Sequence, residues 1–469
     1  MNRSYWGTTF LHWCDSCHVP VLGKICGCGA KTRKVALTPP GDARPAFPAD
    51  VDLVNTIYRD HFGAPLVPSG HLVLLNKAPD SDRMEEIIMG GAVVGAIRYL
   101  PGETRWEALP RSVSTLYLTP ETRFVEVDTG AAPSIRDFGA SVLAPGLRRI
   151  CPLVKRGDEV FVLSPVGECI GVGRSRVNAA EARAMSHGQV VKTRKTGSPD
   201  CVPGTASWDD AISANLDILE RCEEEAIRFV RETSDKHSLP VNVSYSGGKD
   251  SLATLMVVRK ALGKIPLLFI DTGLEFPETY QNIELVSEFY GLELVKAPAN
   301  GRFWELFERL GPPAVNYRWC CSAAKLIPVR DLIRDRWGEC LTFIGQRRYE
   351  SMTRNESSRV FRNRTVGNQV SAAPVHNWTA LHVWLYIMKE KAPYNPLYAS
   401  RMDRIGCFMC PSSDLAIIEE IRSRFPELWS GWTARLAGWQ QEQNLPPEWI
   451  TGHQWRMREA RSNEADRYC

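Results

Sequence analysis

The run Ser246-Gly247-Gly248-Lys249-Asp250-Ser251 combines the residue types that bind and work on a phosphate. It lies between a β-rich segment, Val241–Tyr245, and a helical one, Leu252–Lys260. Two glycines let the backbone approach an oxyanion, and amides at a helix start point toward it. Lys249 adds a point charge, and Lys249 and Asp250 are the candidate catalytic pair. The spacing is not G-x-x-x-x-G-K-[ST], which disfavours kinase-like γ-phosphate chemistry.

Thiols supply a second kind of chemistry. Of fourteen cysteines, eight fall in close-set groups: Cys14/Cys17, Cys26/Cys28, Cys320/Cys321 and Cys407/Cys410. Such groups in a large chain read as metal sites rather than a disulfide framework. Cys14-x-x-Cys17 followed by Cys26-Gly-Cys28-Gly can place four thiolates around one Zn²⁺, closed and without chemistry. Free thiols or a redox pair are the alternative. Positive charge collects from 345 to 364, where six arginines stand against Glu350 and Glu356. Arginine forks grip phosphate or sulfate bidentately. For Arg354, Arg359, Arg362 and Arg364 a solvated face is the alternative.

The turn matches the SGGxDS signature at all six positions and so resembles the PP-loop ATP pyrophosphatases, which split ATP between the α- and β-phosphates. After the apolar strand Ile265–Ile270, the phrase Asp271-Thr272-Gly273-Leu274-Glu275-Phe276-Pro277-Glu278-Thr279 resembles the phosphoadenosine phosphosulfate (PAPS) reductase family. So do Trp319-Cys320-Cys321-x-x-x-Lys325, Gly345-x-Arg347-Arg348-x-Glu350-Ser351, and Asn395-Pro396-Leu397-Tyr398 leading to Gly406-Cys407-Phe408-Met409-Cys410-Pro411. The resemblance runs from about Leu239 to Ser413. It implies an α/β domain with a parallel sheet and a nucleotide site at Ser246, Gly247, Gly248, Lys249, Asp250, Ser251, Asp271, Thr272, Gly273, Arg347 and Arg348. The nucleotide is ATP with Mg²⁺, or PAPS or adenosine phosphosulfate (APS) as substrate. It also implies a [4Fe–4S] cluster on Cys320, Cys321, Cys407 and Cys410, with a single zinc as the alternative. The reductases' C-terminal E-C-G-x-H phrase, which carries their nucleophile, does not occur here. Cys469, in Arg467-Tyr468-Cys469, is the remaining candidate for that role.

Positioning these groups takes several elements. A zinc-ribbon-like segment is expected over 1–49 and an α+β region over 50–113, with a helix at Val51–Phe62 and strands at His71–Asn76 and Gly91–Tyr99. Short strands at Thr115–Leu118, Phe124–Val127, Glu159–Leu163 and Cys169–Val172, separated by glycine-bearing turns, predict a small β-barrel over 114–196. Its Gly139-Ala140, Pro145-Gly146, Gly157-Asp158 and Val172-Gly173 resemble a PUA domain, the RNA-binding module of many RNA-modifying enzymes. The resemblance implies RNA contacts at Arg136, Gly139, Arg148, Arg149, Lys155 and Arg156; a spacer of the same shape is the alternative. A linker and amphipathic helix (about Asp209 to Thr233) fill 197–236, the PP-loop domain fills 237–413, and 414–469 reads as helical. In that last part Trp429, Trp432, Trp439, Trp449 and Trp455 are expected to pack a helical subdomain rather than stack bases.

With 469 residues, 44% hydrophobic and 24% charged, the chain is globular and neither disordered nor collagen-like. A net charge of +3 does not by itself announce a nucleic-acid binder. No apolar run approaches a spanning helix and the N-terminus lacks a signal-peptide core, so a cytoplasmic location and no membrane partner are expected. The leading functional expectation is ATP-dependent thiolation of RNA, with a sulfur or electron donor protein as partner. The alternative is a sulfonucleotide reductase releasing sulfite. A non-enzymatic RNA-binding protein and a DNA sulfur-modifying role are lesser ones.

Overall fold

Three short strands begin the part of the chain that this computed structural model describes, residues 9–197 and 201–458. They are β1 (Thr9–Cys14), β2 (Val19–Val21) and β3 (Arg33–Leu37), antiparallel in the order β2-β1-β3. Strands this short cannot hold a core of their own, and the cysteine knuckles sit at their ends. A second antiparallel sheet follows in sequence order: β4 (Arg44–Pro45), β5 (Leu74–Ala78), β6 (Met84–Met89), β7 (Ala92–Leu100) and β8 (Arg105–Pro110). Helix α1 (Pro48–Phe62) starts with proline in its first turn, ends on left-handed Gly63, and buries Val54, Ile57, Tyr58 and Phe62. The expected helix and strands of this region therefore form, each shifted by a few residues.

Next comes a six-stranded mixed sheet of β9 (Phe124–Val127), β10 (Val142–Leu143), β11 (Leu147–Ile150), β12 (Glu159–Leu163), β13 (Cys169–Ser175) and β14 (Gln189–Thr196). Its order is β10-β14-β13-β12-β9-β11, with β9 and β12 parallel. The expected strand at Thr115–Leu118 does not form; Ser112–Leu116 is a 3₁₀ helix. The reason is local: the Ser114 hydroxyl accepts the Arg111 N–H at 3.0 Å, and Thr115 Oγ1 donates to Ser112 O at 2.7 Å. Such side-chain bonds offer the backbone a turn in place of a ladder. Two helices that the strand pattern concealed, α2 (Ala131–Phe138) and α3 (Ala179–Ala184), belong to the same region. Helix α4 (Trp208–His237) is longer than the periodicity suggested. The chain divides into two units, the first running to Ile218 and the second from Leu219.

The second unit is built on β15 (Val241–Ser244), β16 (Leu267–Asp271), β17 (Leu294–Pro298), β18 (Cys340–Ile344), β19 (Val360–Arg362) and β20 (Gln369–Ala372). The order is β17-β16-β15-β18-β20-β19, parallel except for β19 at the edge. Helices α5 (Lys249–Leu262) and α6 (Pro277–Tyr290) connect β15 to β16 and β16 to β17. The chain first winds outward from β15 through β16, then resumes on its other side at β18. Ligands of such sheets bind beyond the carboxyl ends of the strands where the order reverses, here β15 and β18. Residues after β20 pack an aromatic core against this end: Trp429, Trp432 and Trp455 are buried with Phe303 and Trp319, and Trp439 and Trp449 lie against them. The tryptophans are core, as expected. No helix among the described residues is long and apolar enough to cross a membrane.

Candidate nucleotide and thiol site

Strand β15 delivers Ser246 to the sheet edge, and Gly247 turns the chain with φ +74°, a left-handed value that favours glycine. Gly248 is the N-cap of α5, so the first amides of that helix open onto the turn. One is engaged: the Lys249 N–H donates to the buried Tyr398 hydroxyl at 2.9 Å. The Ser246 and Ser251 hydroxyls lie 3.3 Å apart, and Ser251 Oγ donates to Gly248 O at 2.8 Å. From the neighbouring strand β18, Gly345 passes directly over the helix start. A Cβ there would stand 2.4 Å from the Ser251 nitrogen, so only glycine fits.

Asp250 organises the cations of this turn. Its Oδ2 receives Lys249 Nζ at 2.7 Å and its Oδ1 receives Arg347 Nε at 2.5 Å. Burial works against the Asp250 carboxylate, but Arg347 and then Lys249 outweigh it and hold its pKa below the ordinary value. Arg347 is 2% exposed and also donates to Trp378 O at 3.2 Å. It thus braces Asp250 from beneath the turn. Arg348 is half-buried, with Nε on Asn355 Oδ1 at 2.9 Å.

The loop after β16 closes the other side. Gly273 N–H and Tyr280 Oη donate to Asp271 Oδ1 at 3.1 and 2.8 Å. Thr272 donates its N–H and hydroxyl to the two Glu275 oxygens, at 3.1 and 2.7 Å. Glu275 lies inside the run Asp271–Thr279 and Tyr280 directly follows it, so the loop carries its own acceptors and donor. The Thr272 hydroxyl is also 4.0 Å from Cys407 Sγ, and the Phe408 N–H donates to Leu274 O at 2.9 Å. One loop therefore touches both the nucleotide-site residues and a cysteine turn.

That turn is tight, with Cys410 N–H on Cys407 O at 3.2 Å. Cys320 and Cys321 end the short helix Trp319–Cys321, followed by a π-helical stretch, Ser322–Leu326, of the sort that marks functional sites. Cys320, Cys321, Cys407 and Cys410 share one electrostatic neighbourhood with Arg318 and Lys325. Arg318 Nη2 donates to Cys321 Sγ at 3.3 Å. The hydrogen bond from Cys320, then Arg318, pulls the Cys321 thiol down to about 5, while Cys320 is driven up by that same bond and by burial. The two cations beside Cys321 thus favour its thiolate, the nucleophilic and ligating form of the side chain. The two pairs lie within electrostatic reach of one another, and Cys469 lies outside the described residues.

In the first unit, Cys14, Cys17, Cys26 and Cys28 hold their sulfurs within 4.8 Å of one another. Cys14–Cys28 and Cys17–Cys26 are 3.8 and 3.9 Å apart. A tetrahedron with metal–sulfur bonds of about 2.3 Å has edges of about 3.8 Å, so the four thiols fit a single tetrahedral ion. Cys28, lowered to about 7 chiefly by the Ala30 amide, is the readiest thiolate. Among the residues expected to meet RNA, Arg136 pairs with Glu168 at 3.1 Å, and Arg148 and Arg149 both reach Glu126, at 3.0 and 3.2 Å. Gly139 is the left-handed C-cap of α2, and Lys155 and Arg156 are exposed.

Residues 240–413 match the phosphoadenosine phosphosulfate reductase domain, and residues 123–196 match the PUA domain. The chain is 36% identical over 473 residues to an uncharacterized protein of Methanocaldococcus jannaschii, covering 98% of each. It is 30% identical over 173 residues to an adenosine 5'-phosphosulfate reductase of Geobacillus sp., covering 36% of this chain and 72% of that one. Among solved structures, the PAPS reductase of Candida auris is similar at a TM-score of 0.32 and 18% identity, covering 42% of this chain and 97% of that one.

Proposed function

The chain belongs to the PAPS reductase family, with a PUA domain ahead of the family domain, and from that premise we propose that it is a sulfur-transfer enzyme performing ATP-dependent thiolation of RNA. The observation that carries this reading is the contact of Thr272 with Cys407, which sets a sulfur-bearing group beside the loop expected to hold adenosine. In the first step a base carbonyl oxygen attacks the α-phosphorus of ATP and pyrophosphate departs. The oxygen becomes part of an AMP ester, a far better leaving group. A hydrosulfide-level sulfur from a donor protein then adds to the same carbon, and the C–O bond breaks to release AMP. Both steps are displacements and need no net oxidant. Lys249 offsets charge on the transferring phosphate, and Asp250 is a positioning residue that fixes Lys249 through the Arg347 brace. Zn²⁺ on Cys14, Cys17, Cys26 and Cys28 is structural in this reading. A [4Fe–4S] cluster, when bound by Cys320, Cys321, Cys407 and Cys410, supplies a place to hold sulfur or electrons. The PUA domain supplies the RNA contacts.

A second reading is favoured by the curated relatives named adenosine 5'-phosphosulfate reductase: sulfite release from APS or PAPS, with Cys469 as nucleophile. The test uses anaerobically purified protein with a dithiol reductant to supply the two electrons that sulfite release needs, offered radiolabelled ATP or PAPS with and without bulk RNA. RNA-stimulated pyrophosphate release from ATP without sulfite from PAPS is expected. Sulfite release independent of RNA overturns the thiolation reading in favour of the second.

A further inference from the structure

Five segments of the first unit converge on a cavity of about 560 Å³: Thr38 after β3, Glu86 on β6, Val93 on β7, Arg111 and Ser112 after β8, and Lys195 to Gly197 at the end of β14. Pockets of a few hundred cubic ångströms accept one small ligand or one nucleotide unit. The hydrogen-bonding capacity of Glu86 is spent, although its charge still acts on Arg111 and Lys195: its oxygens accept the Thr38 hydroxyl at 2.7 Å, the Thr38 N–H at 3.0 Å and Asn76 Nδ2 at 2.8 Å. The cations are not. Elsewhere in this unit inward-facing arginines meet carboxylates, as Arg44 does Asp50 at 2.7 Å, Arg83 does Glu85 at 3.0 Å and Arg98 does Glu107 at 2.5 Å. Among the described residues, the side chains of Arg111 and Lys195 form no ion pair or hydrogen bond. Burial first holds both below their ordinary pKa values; Glu86 opposes the shift at both, while Arg194 at both and Arg111 at the exposed Lys195 add to it, a cost of like charges about one hollow. An anion entering the cavity removes that cost.

We propose that this cavity binds the phosphate of a nucleotide unit, with the Arg111 fork gripping two phosphate oxygens and Lys195 supplying the second charge. The unit belongs to an RNA strand, a source that rests on the RNA reading above. Lys195 falls inside the PUA match of 123–196 and Arg111 outside it, so the pocket needs the region before the PUA domain as well. The phosphate site thereby lies apart from Arg136, Arg148 and Arg149, whose charges already face Glu168 and Glu126.

The test labels full-length protein with an amine-acetylating ester and reads Lys195 by mass spectrometry, alone or with a short oligoribonucleotide, AMP or inorganic phosphate. Fluorescence anisotropy of the same oligoribonucleotide gives its affinity for wild type, Arg111→Gln and Lys195→Gln. RNA is expected to shield Lys195. Each variant should lose about five- to tenfold in affinity, with the salt dependence shallower by about one counterion. ATP binding without RNA, read by calorimetry, should stay unchanged, and melting curves check the fold. RNA binding with Lys195 unshielded and both variants equal to wild type overturns the pocket but spares the RNA reading. No RNA binding by wild type overturns that reading; shielding by AMP or phosphate then supports a free-nucleotide pocket, and no shielding by either overturns the pocket too.

Discussion

Asp250 and Arg347 meet at 2.5 Å, joining the turn after β15 to the loop after β18 across the point where the strand order reverses. Ninety-seven residues separate the partners in sequence. Removing the carboxylate strands a buried guanidinium. Asp250→Asn should therefore cost about 3 kcal/mol of stability in denaturant melts, as broken buried pairs do. It should also slow ATP–pyrophosphate exchange by about tenfold or more, because Lys249 loses its anchor. Arg347→Lys, which keeps charge but not the fork, should recover only part of either loss.

Gly345 tests the close approach on its own. Gly345→Ala pushes a methyl into the Ser251 amide, where the space allows 2.4 Å. Nucleotide binding, read by calorimetry, should fall sharply while zinc content stays the same. Unchanged binding would show that β18 and α5 can separate without harm.

The two cysteine sets should be separable by elemental analysis. Cys14→Ser is expected to remove one zinc per chain and to lower the melting temperature of the first unit, since a structural metal supplies folding energy. Cys407→Ser is expected to remove iron and acid-labile sulfide and leave the zinc. Loss of both metals from either variant would contradict two independent sites.

His61 predicts a pH dependence. It is buried, its Nδ1 donates to Ile57 O at 2.8 Å, and Nε2 has no partner among the described residues. Burial first, then Arg123, lowers its pKa from 6.5. A depressed folded value means that the contribution is complete above 6.5 and is lost as pH falls through the folded pKa. Melting temperature should thus decline on acidification from pH 7.5 toward 5.5, with a flatter profile in His61→Gln.

Cys469 separates the two catalytic readings. Arg456 donates to Pro411 O at 2.9 Å and Arg458 to Leu310 O at 3.0 Å, so the described chain ends beside the cysteine turns. In the thiolation reading, Cys469→Ser should leave RNA-stimulated pyrophosphate release within about twofold of wild type. A reductase using that thiol should lose sulfite release altogether.

The features legible in the sequence are those whose partners are neighbours in the chain. Ser246 to Ser251 read as a phosphate turn because a strand, two glycines and a helix follow one another directly. Cys14, Cys17, Cys26 and Cys28 read as one site because two knuckles, each a few residues long, suffice to aim four sulfurs. The 3₁₀ helix at Ser112–Leu116 shows the limit even at short range, since bonds from Ser114 and Thr115 overrode the β-branched pattern. Packing across the fold sets which distant groups share a charge or a space. Arg347, read as a grip on the nucleotide, is turned onto Asp250 because burial demands a counterion. Thr272 meets Cys407 because the sheet edge gathers loops from separate crossovers. Arg111 and Lys195 face one hollow because β8 and β14 end at the same place, a coincidence of packing that no periodicity along the chain records.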